Sequence, residues 1–500
     1  MDVFGKWNEE RLRELVSARI GDSLLIAISN REPYIHVHSG ERIECLRPAS
    51  GLVTGIDPVM RACGGIWIAH GGGDADREVV DANNKILVPE DEKRYVLKRV
   101  WINDKEQEDG YYYGFSNQTL WPLCHNVYLR PSFDDSHWQH YKAVNEIFAQ
   151  AVLEEIRDHP TFLWIQDYHL CLLPRLIMNQ IGNRAVMAHF WHIPWPNPDV
   201  FRICPWRKEI LEGLLANDLL GFHIQYHCNN FLETVARELE AKVDYEHSAV
   251  IYQGHATLVR PFPISINFDG LMKDAHQPEV EREMRLIKEE LPPKCRHILL
   301  GLDRFDYTKG IPDRLRALDL FLQKNPDYRE RLIFFQAGVP SRIRIKAYQE
   351  LNALIDSLVQ EINDRHSTPL WRPIVLLRGL IPYRKILALY RLANVCLVSS
   401  LHDGMNLVAK EYVAAKSELN GVLILSCFTG ASRELTDALS INPYDLKGFS
   451  DVLKAALEMP IAQRRKRMAK LREVVSEHNI YRWAGEMINA LSRVPGSPPA

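Results

Sequence analysis

RHILLGLDRFDYTKG (296–310) begins as a nearly unbroken apolar run and ends in a polar turn carrying Arg304, Lys309 and Gly310. An apolar run without polar alternation predicts a strand covered on both faces, as in a parallel sheet. Downstream, RLIFFQAG (331–338), PIVLLRGL (373–380), VCLVSS (395–400) and VLILS (422–426) read as further strands, with helices in the gaps. Upstream the rhythm is the same. SLLIAISN (23–30), TFLWIQD (161–167) and AVMAHFWHIPWP (185–196) read as strands, with helices at 144–158 and 172–181. EILEGLLANDLLGFH and CNNFLETVARELEA continue the alternation, and residues 1–20 read as an amphipathic helix. Alternation of this kind predicts an α/β protein with mostly parallel sheets.

TLVRPFPISINFDG (257–270) breaks the rhythm with two prolines, and a charged helical stretch (279–291) follows. The chain therefore reads as two Rossmann-like domains, 1–262 and 263–479, with a hinge near 260–270. One last helix is expected over 460–492, with 480–495 packing back on the first domain and the tail RVPGSPPA (493–500) frayed. Two such domains facing one another place a cleft at the carboxyl ends of their strands.

Composition narrows the function. The 500 residues are 46% apolar and 25% charged, ordinary for a globular chain. A net charge of −3 argues against a nucleic-acid partner held by a basic surface. Nine scattered cysteines with no CxxC pair argue against a disulfide framework and point to a reducing cytoplasm. The charged start MDVFGKWNEERLRELV is no signal peptide, and no apolar run reaches the roughly 18 residues of a membrane span. No membrane partner is expected.

Unusual residues gather after the strands. Arg304 and Lys309, five apart across a turn, suit a diphosphate leaving group, or are ion-paired to Asp303 or Asp306 in a solvated turn. In SLHDGMNLVAKEYVAA (400–415), Asp403 falls in a turn directly after a buried strand. Asn406 reads as a helix cap, and amides at that helix start suit a phosphate. Glu411, in the second turn, suits a pair of sugar hydroxyls or is a surface helix residue. Asp167 in WIQDYHL and His192 in HIPWPNP end two strands of the first half. Tyr112 and Trp121, in YYYGFSNQTLWPLCH (111–125), are able to line a sugar or belong to an aromatic core. Arg31 and Arg342 follow strands and suit a phosphate, or are surface arginines. The glycine-bearing loops PASGLVTG (48–55) and HGGGDADRE (70–78) allow close backbone approach but match no GxGxxG. His223 and His227, four apart and followed by Cys228, have helical metal-ligand spacing, yet no Glu stands in the HExxH place and no third ligand is local. No metal is expected.

These segments, in this order and spacing, resemble the trehalose-6-phosphate synthases, retaining glycosyltransferases of the GT-B fold. The resemblance spans about residues 23–485 and rests on SNR, YYYGFSNQTLWP, WIQDYHL, HIPWP, GLDRFDYTKGIP, SRIRIKAYQE and LHDGMNLVAKEYVAA. It implies transfer of glucose from a nucleotide sugar, UDP-glucose or a related donor, to glucose 6-phosphate, giving trehalose 6-phosphate, with no cofactor, metal or covalent enzyme intermediate. Arg304 and Lys309 look like the donor diphosphate pair, with Asn406 and the amides of Leu407 and Val408 beside it. Glu411 resembles the ribose-binding carboxylate, and the base contact falls to backbone near Ile381 and Pro382. Asp403 and His192 resemble the residues that grip the donor glucose. Arg31, Tyr112, Trp121, Asp167 and Arg342 resemble the acceptor set. Gly51 stands where the family has the second glycine of a Gly-Gly donor loop, with Ser50 as a departure at the first. The segment 70–110 carries no assignment.

Three other readings share the fold. A glucosylglycerol-phosphate synthase differs in its acceptor, a sugar-phosphate sensor lacks turnover, and a dehydrogenase requires the GxGxxG that is missing here. The donor base is open, and a homo-oligomer is compatible with the sequence. With no phosphatase motif after residue 485, the product is expected to be dephosphorylated by another protein.

Overall fold

The computed structural model describes residues 6–48, 51–156, 160–182 and 185–494. Ser50 and tail residues 495–500 lie outside them. The chain divides into two compact units, Met1–Ile264 with Ile480–Ala500, and Ser265–Asn479.

The first unit holds β1 (Leu24–Arg31), β2 (Ile35–Ser39), β3 (Arg42–Leu46), β4 (Ile66–His70), β5 (Lys85–Val88), β6 (Tyr95–Val100), β7 (Thr161–Gln166), β8 (Ala185–Phe190), β9 (Leu219–Phe222), β10 (Lys242–Asp244), β11 (Ala249–Tyr252) and β12 (His255–Pro261). Among the described residues, ten of these form one sheet in the order β10-β11-β12-β9-β8-β7-β1-β4-β6-β5, and β2 and β3 form a separate hairpin. Pairing from β12 through β6 is parallel. The apolar runs decide this: every residue of TFLWIQ and AVMAHF is buried, so both faces of β7 and β8 need cover. The strand order reverses between β1 and β7, which defines the topological switch point of an open α/β sheet.

The second unit holds β13 (His297–Phe305), β14 (Leu332–Pro340), β15 (Ile374–Arg378), β16 (Val395–Val398), β17 (Val422–Ser426) and β18 (Leu439–Ile441). All are parallel, in the order β15-β14-β13-β16-β17-β18. The reversal falls between β13 and β16. Phe321 and Leu322 of the helix Ile311–Lys324 pack with Phe449 and Leu453 of Leu446–Glu458 in one core cluster with the sheet's Leu299 and Phe334.

Several expected elements differ. The break at 257–270 starts only after Pro261, because the first of those residues extend β12 alongside β9. The helix expected at 144–158 runs Asp135–Leu153, since Asp134 accepts from Ser136 and His137 N–H groups and caps it nine residues earlier. The single helix over 460–492 is two, Ile461–Glu477 and Ile480–Leu491. Asn479 causes the break: its side chain donates to Ser476 O at 3.0 Å and competes with helical continuation. The second piece belongs to the first unit, where the Trp483 ring lies 5.0 Å from Trp164 of β7 and 5.1 Å from Phe190 of β8. The loop expected at 48–55 is helical from Gly51, in Gly51–Cys63. Val53, Ile56, Val59 and Met60 bury one helical face there and outweigh the two glycines. His223 precedes the helix Gln225–Glu238 rather than lying on it, because β9 reaches Phe222. It does not form a helical i, i+4 pair with His227.

Candidate active site

In the second unit the switch point brings two strand ends together. Asp306 accepts from Thr308 N at 3.0 Å and from its hydroxyl at 2.9 Å, forming the turn Tyr307–Lys309. Gly310 closes that turn at φ 60°, and a Cβ there would stand 2.3 Å from Ser399 O. Only glycine meets both conditions. Leu401 N donates to Thr308 O at 2.7 Å, which ties the loop after β16 to the loop after β13.

Across this junction Lys309 Nζ lies 2.6 Å from Asp403 Oδ2. The same oxygen accepts from Ser400 Oγ at 3.1 Å and from Asn406 Nδ2 at 3.2 Å. Of the two carboxylates in the alternative reading of this turn, Asp303 is held by Arg314 at 2.7 Å, and Lys309 acts electrostatically on both Asp303 and Asp306. Asn406, at φ 89°, accepts from Ala409 N at 3.1 Å and caps the helix Leu407–Ala415. Leu407 and Val408 begin that helix, where backbone N–H groups lack intrahelical acceptors and the dipole favours an anion. Glu411 is no surface residue: Tyr390 donates to its Oε2 at 2.7 Å. Burial pushes the Glu411 carboxyl above its ordinary value, and the Tyr390 hydrogen bond opposes that. Pro382 precedes the helix Tyr383–Leu392 and is exposed.

Arg342 is buried, not a surface arginine. Its Nη1 lies 3.2 Å from Asp306 Oδ2, which also accepts from Tyr348 OH at 2.9 Å. Burial would raise the Asp306 carboxyl, but Arg342, Arg304 and Lys309 together bring it below its ordinary value. Three cations thus act on one buried carboxylate at the end of β13, which makes this strand end locally cationic.

In the first unit Arg31 ends β1 and Asp167 follows β7, the two strands flanking the switch point. Asp167 stands at φ 72°, a region unusual for a non-glycine residue, and its Oδ1 accepts from Tyr168 N at 2.9 Å and His192 N at 3.3 Å. Strain held in place this way is typical of functional positions. His192 Nε2 is 2.8 Å from Gln166 Oε1. Burial, then the neighbouring His223, His189 and His169, hold the His192 imidazole well below its ordinary pKa, so it is neutral near pH 7. Arg31 Nη2 donates to Tyr112 OH at 3.4 Å, and the Tyr112 ring stacks on His169 at 5.9 Å.

Tyr112 lies on a π-helical segment, Asp109–Leu120. Asn117 and Gln118 each donate back five residues, to Tyr112 O at 2.7 Å and Tyr113 O at 3.1 Å, which supports the wide register. Gly114 lets the segment approach the helix Asp135–Leu153, since a Cβ there would meet the His137 ring at 2.5 Å. Trp121 follows it and is only 5% exposed, packed on His125 and Tyr168.

The structure therefore gathers Arg31, Tyr112, Asp167 and His192 at one switch point, with Trp121 one layer deeper. It gathers Arg304, Lys309, Arg342, Asp403, Asn406, Leu407 and Val408 at the other, with Glu411 one turn along. Arg342 lies in the second unit and Gly51 in the first. Sequence reasoning missed Gln166, Ser400 and Tyr390, the groups that hold His192, Asp403 and Glu411. Gln166, a polar residue inside a wholly buried strand, was the readable signal.

The model of glycosyltransferase family 20 matches residues 23–493. The trehalose-6-phosphate synthase of Mycobacterium avium is 36% identical over 95% of this chain and 96% of its own. A bifunctional trehalose-6-phosphate synthase/phosphatase of Thermoproteus tenax is 37% identical over 93% of this chain, which spans only 63% of that longer relative. Among solved structures, an E. coli protein bound with UDP-2-fluoro glucose aligns with TM-score 0.84 and 30% identity, covering 94% of this chain and 99% of the other. The α,α-trehalose-phosphate synthase (UDP-forming) of Burkholderia xenovorans, in complex with glucose-6-phosphate, aligns with TM-score 0.83 and 30% identity over 93% of this chain and 99% of its own. With 471 of its residues inside one family match, two doubly wound sheets and charged residues at both switch points, this chain belongs to glycosyltransferase family 20.

Proposed function

We propose that the chain transfers glucose from UDP-glucose to glucose 6-phosphate with retention of configuration, giving trehalose 6-phosphate. The observation that carries this reading is the β13/β16 junction, where Lys309 and a helix start present positive charge beside Asp403 and Arg304 acts on the neighbouring Asp306. The UDP-forming relatives and the solved neighbours with a UDP sugar and with glucose-6-phosphate support the choice of donor and acceptor.

In this mechanism the donor diphosphate takes Lys309 and Arg304 as counter-ions and the amides of Leu407 and Val408 as donors. Lys309 leaves Asp403, whose carboxylate then accepts from glucose hydroxyls while Ser400 and Asn406 hold it in place. Glu411, already oriented by Tyr390, accepts from the ribose. His192, neutral and fixed by Gln166, contacts the transferred glucose. Arg31, Tyr112 and Arg342 are assigned to the acceptor phosphate and sugar, with Trp121 and Asp167 also on the acceptor side. The acceptor hydroxyl attacks the face from which the nucleotide departs, and the leaving phosphate takes its proton. The protein supplies positioning and charge, with no metal required for transfer. We place the protein in a reducing cytoplasmic setting on its nine scattered cysteines with no CxxC pair. Hydrolysis of the product's phosphate ester falls to a phosphatase centre distinct from this one.

The test is nucleotide release and product mass from UDP-glucose with glucose 6-phosphate and glycerol 3-phosphate in parallel. A disaccharide phosphate with glucose 6-phosphate alone supports the reading. Product with glycerol 3-phosphate alone overturns the acceptor, and turnover with neither overturns the enzyme assignment.

A further inference from the structure

In the first unit, the hairpin β2–β3 follows β1, and its first strand is tied to residues 74–76 through Ala75 N to His36 O, His36 N to Asp76 and His38 N to Asp74. Among the described residues it pairs with no other strand, and every residue of β3 is exposed, Ile43 and Leu46 included. A lone two-stranded hairpin has little stability of its own in water. His36 and Cys45 are directly opposite partners on its two strands, so their side chains share one face. Glu90, from the turn after β5, reaches the same place: its Oε1 lies 2.9 Å from His36 Nε2. The imidazole, thiol and carboxylate ligand atoms lie within 4.8 Å of one another.

We propose that His36, Cys45 and Glu90 bind one borderline-soft divalent cation of the Zn²⁺ type, which fastens the hairpin to the turn following β5. The donor set selects the ion, because a thiolate and an imidazole suit zinc or cobalt and not magnesium or calcium. Three protein ligands leave a fourth, water-filled position on the exposed side. His36 is buried and fixed, whereas Cys45 and Glu90 are exposed and have room to close to bonding distance. Behind the imidazole, Asp76 Oδ1 lies 3.5 Å from Nδ1, the carboxylate–histidine arrangement that orients metal-bound histidines. Asp76 is itself anchored by Arg99 at 2.7 Å and by the N–H groups of His36 and Gly73 at 2.7 and 2.6 Å. Arg99 Nη2 also stands 2.7 Å from Nδ1; with a cation on Nε2, Nδ1–H donates to Asp76 and Arg99 keeps Glu32, Asp76 and Tyr34 O. Binding releases the Cys45 thiol proton and the Nε2 proton to solvent. This site departs from the expectation, drawn from the sequence, that no metal is bound, and it is assigned no part in glucosyl transfer.

The test titrates the full-length, chelator-stripped protein with Zn²⁺ against a chromophoric competitor, and with Co²⁺ to read thiolate-to-cobalt absorption. One ion per chain is expected, with the absorption lost in Cys45→Ser. Zinc affinity should fall in Cys45→Ser and Glu90→Gln by more than the roughly 10–100-fold typical of outer-shell changes. Cys427→Ser, at another exposed thiol, should change nothing. Both ligand variants alter exposed side chains, and unchanged transferase activity shows that they fold. No tight zinc in the wild type, equal affinity in Cys45→Ser, or cobalt absorption that follows Cys427 would each overturn the site.

Discussion

Lys309→Met separates the two tasks given to Lys309, holding Asp403 and neutralising the leaving diphosphate. In the unliganded protein its side chain is 12% exposed and that of Asp403 13%. Removing one partner of a buried pair costs about 3–5 kcal/mol. Asp403 retains Ser400 and Asn406 as donors, so the loss here should be smaller, about 2 kcal/mol. The transition state, in contrast, loses a positioned cation beside developing charge, worth about 3–4 kcal/mol or 10²–10³-fold in rate. The assays are urea unfolding and steady-state kinetics at saturating glucose 6-phosphate. The expected pattern is a modest stability loss, a 10²–10³-fold fall in kcat/KM for the donor and a smaller change in the acceptor KM. Asp403→Asn should leave a cation without its carboxylate and lower donor turnover independently. A Lys309→Met enzyme that is destabilised but turns over at the wild-type rate would refute the leaving-group role.

Three further outcomes follow from local geometry. Gly310→Ala places a Cβ against Ser399 O and a side chain in the left-handed region, so unfolding free energy should fall by about 2–4 kcal/mol, read by urea denaturation. Asp167→Gly removes backbone strain of about 1–3 kcal/mol at φ 72°, so stability should hold or rise while acceptor KM rises; a stability loss with unchanged KM would contradict the acceptor-side role. Burial lowers His189 from an ordinary value of about 6.5 to about 4. Between those pH values the unfolded chain binds a proton that the native protein does not. Stability is therefore lost as pH falls from about 6.5 to about 4, by about 3 kcal/mol from this group. His189→Gln, which can still donate to Asp167 O, should flatten that part of the stability–pH curve.

The strand ends were readable because polar residues follow buried apolar runs abruptly: Asp167 after TFLWIQ, Arg304 and Lys309 within and after β13, Asp403 after VCLVSS. The strand–helix alternation likewise carried the two doubly wound sheets. What could not be read depended on partners distant in sequence. Tyr390 holds Glu411 from 21 residues away, and Asp403 meets Lys309 across 94. The π-helix at 109–120 is accompanied by side-chain bonds to carbonyls five residues back, a pattern with no apolar periodicity to announce it. The hairpin β2–β3 alternates apolar and polar residues only over the short runs IHVH and RIEC, and its His36–Cys45 pairing emerged only with the register. Asn479 ends a helix without glycine or proline, through a hydrogen bond to Ser476 O.

The central claim is retaining transfer from UDP-glucose to glucose 6-phosphate. The most direct measurement is proton NMR of the purified product, reading the couplings of both anomeric protons and locating the phosphate. An α,α-linked disaccharide with phosphate on one 6-position, formed in step with UDP, is the expected result. A β-linked product, or UDP released with free glucose and no disaccharide, would contradict the account.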